Sequence, residues 1–369
     1  VYKRQATNAT PNEIRNTFKA SRIIGRRFKL VHIFNRSELI EVATFRSGDD
    51  EANEGNLVTD QSGKILRDNI WGTLEQDTFR RDFTINALYY CPTSGKIEDH
   101  NSGIAHIKNK KIVSIGDPMK RFSEDPVRSL RAIRFSNKLS FKIDRDVKSA
   151  IYKKGYLLDN ISNARMFDEF CKIFLSGIAE KNFNKLVSFN LSQYLILTSP
   201  SNSHFSQNLI KEALKNTDKR VKNDQSVTPG FLIAAMLWPE LLKKSRGDKE
   251  INLRKFFRSM DQILRNQQKI TAIPRKFHSY IKDIWVLQLK LHSRIGKQPY
   301  KTFKHPRFRA AYDFLLIRER ASNCQSNLGD WWTKFQKNNS ASQKQQILDL
   351  NEVSEENSFK KFGFQEELI

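Results

Sequence analysis

A chain of 369 residues, 38% of them hydrophobic, is long enough for two or three structural units and apolar enough to bury cores, which excludes disorder for its bulk. Its 64 Lys and Arg against 40 Asp and Glu give a formal charge of +24 spread along the sequence, more than solubility requires, so a polyanion is the natural partner and nucleic acid ranks above a membrane surface. No stretch is long and apolar enough to span a bilayer, and Cys91, Cys171 and Cys324, with no CxxC spacing, point away from disulfides or zinc and toward a reducing, cytoplasmic setting.

The opening Val1-Tyr2-Lys3-Arg4-Gln5 is polar, lacks an initiator Met and an apolar leader, and reads as a cut end. Thr10 before Pro11 marks a short capped helix over 11–18. Two alternating stretches, 28–34 and 38–45, flank Asn35-Arg36-Ser37 and predict a β-hairpin. The order helix, strand, strand implies a small mixed sheet that begins upstream of residue 1. Residues 47–69, rich in Gly, Asp, Asn and Ser, read as a long loop. The segment 79–90, a strand-like 96–99 and 111–115 follow, after which the pattern turns helical at Asp125 and stays so. Phe167, Phe170, Cys171, Phe174 and Leu175 keep the spacing of one helix face, with Gly177 as its C-cap. Further helices are expected over 209–216, 229–242, 256–264, 280–292 and 308–318, and the polar stretch from Asn338 onward reads as a frayed tail or one weak helix. The fold class is α+β: a head with a mixed β-sheet, then an all-helical body.

Three segments can carry chemistry. Alternation puts Glu41 on one strand face with Leu39, Ala43 and Phe45, where it is either a solvent-facing carboxylate or one that holds a hard cation. Arg80, Arg81, Asp82 and Asn86 fall within seven residues; such a cluster can bridge phosphates, accept from a ribose hydroxyl or simply cap a helix. Asp125 before Pro126 marks a helix start, with Val127, Leu130 and Ile133 on the apolar side and Arg128 and Arg131 on a polar strip near Glu124. A carboxylate and a guanidinium held side by side can read a base edge, though salt-bridged surface helices look similar.

Taken in order, a strand Glu followed by Thr44-Phe45-Arg46, then Arg80-Arg81-Asp82-Phe83-Thr84-Ile85-Asn86-Ala87, then Glu124-Asp125-Pro126-Val127-Arg128 continuing through Arg131 and Arg134 to Phe135, resembles the class II nucleotidyltransferases, the family of tRNA CCA-adding enzymes and bacterial poly(A) polymerases. Residues 22–32, with Gly25-Arg26-Arg27-Phe28 and His32, and the body segments 214–220, 284–289 and 305–313 lean to the polymerase branch, and the resemblance runs to about Phe335.

The resemblance implies a nucleotidyltransferase head (1–118), a helical neck that binds nucleotide base and RNA (119–190), a helical RNA-binding body (191–337) and a polar tail (338–369). It implies transfer of AMP from ATP to RNA 3′ ends by two Mg²⁺ ions, serving RNA processing and decay in the cytoplasm, with RNA-decay factors as possible partners. Asp82 and Glu41 would be active-site carboxylates, Glu41 a metal ligand; Arg80, Arg81 and Asn86 would hold the nucleotide; Glu124, Asp125, Arg128, Arg131 and Arg134 would face it. The family's Gly-Gly-x-x-Arg-Asp turn and Asp-x-Asp pair are missing before the stretch that Ala6–Pro11 resembles, so the chain is expected to be an N-terminally truncated fragment, inactive as it stands. It ends on Glu366-Glu367 where the polymerases carry a basic tail, which leaves Lys297, Lys301, Lys304, Arg307 and Arg309 as the candidate RNA contacts. Interleaved Tyr300, Phe303 and Phe308 are either stacking surfaces or core aromatics. Two alternatives stay open: a tRNA CCA- or A-adding enzyme, and a non-catalytic RNA-binding protein.

Overall fold

A computed structural model describes residues 4–25, 29–47, 57–59, 65–68, 70–197, 204–247, 251–322 and 327–354. The chain divides into two compact units, 1–128 with 139–153 and 129–138 with 154–369.

The first unit opens with β1 (Arg4–Thr7), α1 (Pro11–Thr17), β2 (Ser21–Ile24), β3 (Leu30–Asn35) and β4 (Glu38–Thr44). The Thr10 hydroxyl accepts from the Glu13 N–H at 3.4 Å while the Glu13 carboxylate accepts from the Thr10 N–H at 2.7 Å, so α1 starts in a capping box with Pro11 in its first turn. The predicted hairpin is present as β3–β4, turning on Arg36 at φ +53°; the Phe28 end of the expected strand lies outside the described residues. The sheet order is β1-β4-β3-β2, with β1 parallel to β4 and the other pairs antiparallel. Sequence reasoning misses β1 and β2, which are too short to show alternation. Val31, Ile33 and Val42 turn to one face and bury against Ile14 of α1.

Within the expected loop 47–69, β5 (Leu57–Thr59) and β6 (Ile65–Asp68) pair antiparallel, a correction to that reading; their apolar runs are too brief to register as strands, and most of the rest lies outside the described residues. Next come α2 (Leu74–Phe79), a single 3₁₀ turn over Thr84–Asn86, the antiparallel pair β7 (Tyr89–Tyr90) and β8 (Ile97–Glu98), α3 (Gly103–Lys108) and β9 (Lys111–Ile112). Then follow α4 (Pro118–Glu124), α5 (Val127–Leu139), β10 (Lys142–Ile143), parallel to β9, and α6 (Arg145–Lys154). The helical run therefore starts at Pro118, capped by the Asp117 carboxylate, and not at Asp125, and β10 interrupts it.

The second unit is helical: residues 129–138 of α5, then α7 (Asn163–Phe174), α8 (Ala179–Ser188), α9 (His204–Lys222), α10 (Pro229–Ser245), α11 (Leu253–Ile270), α12 (Arg275–Leu291), α13 (Gln298–Phe303), α14 (Phe308–Ser322), α15 (Leu328–Lys337) and α16 (Ser340–Ser354). Each predicted helix is found, most of them longer than expected. Gly177, at φ +78°, makes the turn from α7 to α8, a conformation that disfavours any residue with a Cβ. Trp238 of α10 meets Phe256 and Phe314 edge-on at 6.2 and 5.5 Å. A second cluster gathers Phe308, Tyr312, Trp331, Trp332 and Phe335, and Ile347 of α16 completes it. The stretch read as a frayed tail or weak helix is thus a helix to Ser354, anchored by Ile347 and Leu350 on that cluster and by Gln343 and Gln346, which donate to the carbonyls of Phe335 and Trp331. Among the described residues no helix is long and apolar enough to cross a membrane.

Candidate active site

The Arg80–Asn86 segment is held by what lies beneath it. Phe83 is fully buried, the Thr84 N–H donates to the Val113 carbonyl at 3.0 Å and the Ile115 N–H donates to the Asp82 carbonyl at 3.3 Å. On the other side α3 approaches so closely that a Cβ on Gly103 would lie 2.5 Å from the Thr84 carbonyl oxygen. The Asp99 carboxylate accepts from the N–H groups of Gly103 and Ile104 at 2.7 and 2.9 Å and fixes that approach. Pinned this way, Asp82 is 5% exposed, and its Oδ1 accepts from the Phe83 N–H at 2.9 Å and the Asn86 amide at 3.0 Å.

Arg80 and Arg81 leave the end of α2 beside Asp77, a carboxylate only 3% exposed. Arg81 donates to Asp77 Oδ2 from Nη2 at 2.6 Å and Nε at 3.2 Å; Arg80 lies 3.6 Å from Oδ1. The Tyr89 hydroxyl donates to Asp77 and accepts from Arg81 Nη2 at 2.7 Å. Burial alone would raise the Asp77 carboxyl, but the Arg81 charge, the Tyr89 hydroxyl and Arg80 outweigh it and hold the group below its ordinary value. Burial, with Asp77 alongside, pushes the Tyr89 hydroxyl up to about 12, so it stays a donor at neutral pH.

Arg121 of α4 connects this segment to the next. Its Nη2 donates to the carbonyls of Arg80 and Arg81 at 2.9 and 2.7 Å, and its Nη1 to Glu124 at 3.1 Å. Arg128 donates from Nη1 to the same Glu124 oxygen at 3.3 Å and to the Arg121 carbonyl at 2.6 Å. Burial and then the nearby Arg121 charge lower the Arg128 pKa. Asp125 behaves as expected of a helix-start residue: its carboxylate accepts from the Val127 N–H at 3.3 Å, and Val127, Leu130 and Ile133 are buried.

Glu41 sits on β4 in register with His32 of β3 and Arg4 of β1; its side chain is 32% exposed and lies 3.7 Å from His32 Nε2. Its sheet face is the more open one, opposite buried Val42 and Thr44. Among the described residues no group of three or more His, Cys, Asp or Glu side chains converges to hold a metal ion.

The structure thus brings Arg80, Arg81, Asp82, Asn86, Glu124, Asp125 and Arg128 into the first unit, most of them on one connected network, while Arg131 and Arg134 belong to the second, each over the Phe135 ring at 6.0 and 4.5 Å. Lys297, Lys301, Lys304, Arg307 and Arg309 are all exposed in the second unit. Of the aromatics between them Phe308 is core, packed on Trp332 at 5.2 Å, while Tyr300 and Phe303 are partly buried and pack against the same cluster on Phe335 at 5.6 and 5.8 Å, which favours a packing role over a stacking surface. Sequence reasoning missed Asp77, Tyr89 and Arg121. The i, i+4 spacing of Asp77 to Arg81 and the i, i+3 spacing of Arg121 to Glu124 were the available signals; Tyr89 gave none.

Comparison with known proteins decides the family. The sequence is 40% identical over 363 residues to Poly(A) polymerase I of Escherichia coli O157:H7, covering 94% of this chain and 77% of that one. The chain belongs to the poly(A) polymerase family. The family profiles agree along its length: Poly A polymerase head domain at residues 5–113, probable RNA and SrmB-binding site of polymerase A at 140–200, and polymerase A arginine-rich C-terminus at 249–362. As a poly(A) polymerase family member it is a polynucleotide adenylyltransferase, and the resemblance drawn from its motifs holds. The CCA-adding enzyme of Lactococcus lactis is also similar, 30% identical over 327 residues, covering 88% of this chain and 73% of that one. The fold is shared with the Bacillus stearothermophilus CCA-adding enzyme in complex with CTP, at a TM-score of 0.59 and 22% identity over 90% of this chain and 71% of that one.

Proposed function

We propose that this polymerase family member transfers AMP from ATP to the 3′ ends of generic RNA, as a cytoplasmic enzyme of RNA processing and decay. The observation that carries the choice of primer is the level of identity: 40% to a poly(A) polymerase against 30% to a CCA-adding enzyme, each over most of the chain. In this reading Asp82, fixed by Phe83 and Asn86, presents a carboxylate to the reacting end of the nucleotide. Arg80 and Arg81, oriented by Asp77, take the phosphates, and Asp125 with Arg128 faces the base. The exposed Lys297, Lys301, Lys304, Arg307 and Arg309 contact the RNA backbone through charge alone.

Mg²⁺ is the metal this chemistry would use, with Glu41 a carboxylate on the open sheet face. The described residues do not by themselves fit a two-metal centre, because no three ligating side chains converge among them. The test is extension of an unstructured RNA by the complete gene product with Mg²⁺ and each nucleoside triphosphate singly. A ladder with ATP only supports the reading; no preference for ATP, or no extension at all, as a non-catalytic RNA-binding protein would give, overturns it.

A further inference from the structure

Arg121 reaches both of the first-unit segments that the proposed function assigns to the nucleotide. Its guanidinium is a rigid fork. One tine holds two successive carbonyls, those of Arg80 and Arg81, at 2.9 and 2.7 Å; the other holds Glu124 at 3.1 Å. Glu124 in turn takes Arg128, which returns to the Arg121 carbonyl at 2.6 Å. The result is a closed ring in which the Arg121 side chain meets Glu124, Glu124 meets Arg128, and Arg128 meets the Arg121 backbone. Both of these Arg128 bonds use Nη1, so its fork is fixed at one end and aimed at the other. The Arg121 side chain is 18% exposed and its two carbonyl bonds are partly buried, where they are harder to replace, whereas its bond to Glu124, itself 38% exposed, meets water.

We infer that Arg121 is a specificity-determining positioning residue: it sets the place of Arg128 and Asp125 relative to Arg80 and Arg81, and so sets which base is accepted when the phosphates are held. The inference rests on the proposed function, since it needs the two segments to grip opposite ends of one nucleotide. Arg121 itself touches neither end. Its loss therefore leaves the phosphate-gripping groups in the chain but lets the base-facing pair shift, and discrimination between bases falls before catalysis does. Lysine keeps the charge and cannot hold two carbonyls and a carboxylate in a plane, so it restores only part of the effect.

The experiment is steady-state extension of an unstructured RNA by the complete gene product and its Arg121→Ala, Arg121→Lys and Glu124→Gln variants, with ATP, CTP, GTP and UTP each titrated to give kcat and KM. Should Arg121→Ala not fold, the other two variants carry the test, with thermal denaturation measured for each. The expected result is a fall of at least tenfold in the ATP-to-CTP ratio of kcat/KM for Arg121→Ala, smaller for Arg121→Lys, arising mainly from a higher KM for ATP with CTP use unchanged or improved. Equal losses with all four nucleotides, or an unchanged ratio, overturn the inference and leave Arg121 a purely structural residue. A wild-type enzyme without ATP preference would instead sink the proposed function, an outcome read from the unmutated protein alone.

Discussion

Arg81 closes on Asp77 at 2.6 Å, one helical turn away in sequence, and the pair shares the Tyr89 hydroxyl. A buried carboxylate is thereby satisfied by the very guanidinium that the proposed function assigns to phosphate. Asp77→Asn removes the charge and keeps the shape. Hydrogen bonds to a charged group contribute roughly 1.5–3 kcal/mol, and because the Arg81 side chain is 41% exposed the lower end applies, about 1.5–2 kcal/mol. The sign with pH follows from the depressed Asp77 pKa: its contribution is complete above the unfolded carboxyl value, about 4, and is lost as pH falls through the lower folded value. Thermal denaturation should show the variant below wild type at pH 7 and the two converging as pH falls through the depressed folded value of Asp77. A gap that persists unchanged in acid would contradict the assignment.

Gly103 predicts a link from packing to activity. A methyl group there would meet the Thr84 carbonyl at 2.5 Å, so α3 or the Asp82 segment must move. Overpacking of this kind costs about 1–3 kcal/mol. Gly103→Ala should lower the melting temperature by several degrees and reduce kcat/KM for ATP in the complete enzyme, because Asp82 is held from that same stretch of backbone. A melting temperature and kcat/KM both equal to wild type would show that the site tolerates the shift.

The basic stretch 297–309 separates charge from packing. Neutralising Lys301 and Arg307 should weaken RNA binding at low salt and reduce the slope of log affinity against log salt by about 0.7 for each single-strand phosphate no longer neutralised. Phe303→Ala should instead cost about 3–5 kcal/mol of stability, less to the extent that its ring is only partly buried, with the salt slope intact. Filter binding across a salt series, beside a melting curve, checks both. A Phe303 variant that melts normally but binds RNA weakly would restore the stacking role that the packing argues against.

Much of this was legible in the residues. Thr10-Pro11 and Asn35-Arg36-Ser37 announced α1 and the β3–β4 turn because capping and turn chemistry are local. The helices of the second unit showed themselves through their periodic apolar faces. What stayed hidden was non-local or brief. Arg4–Thr7 is a strand only because β4 lies beside it, and Lys142–Ile143 only because β9 does. The site divided in the same way. Arg80, Arg81, Asp82 and Asp125 stand out as charge clusters, whereas Tyr89 and Arg121 join the network across 8 and about 40 residues of chain, distances that spacing rules do not reach. The rings at Tyr300, Phe303 and Phe308 were ambiguous for the opposite reason: core and stacking aromatics look identical until they are seen to pack against Phe335 and Trp332.

Adenylate addition to generic RNA is read out as product length. The complete gene product would be given ATP and CTP together, with an unstructured RNA in one reaction and a tRNA lacking its 3′ end in another. Long tails of A on the unstructured RNA are expected. Addition that is confined to the tRNA and stops after a few nucleotides would contradict the proposed function and move the protein to the CCA-adding branch.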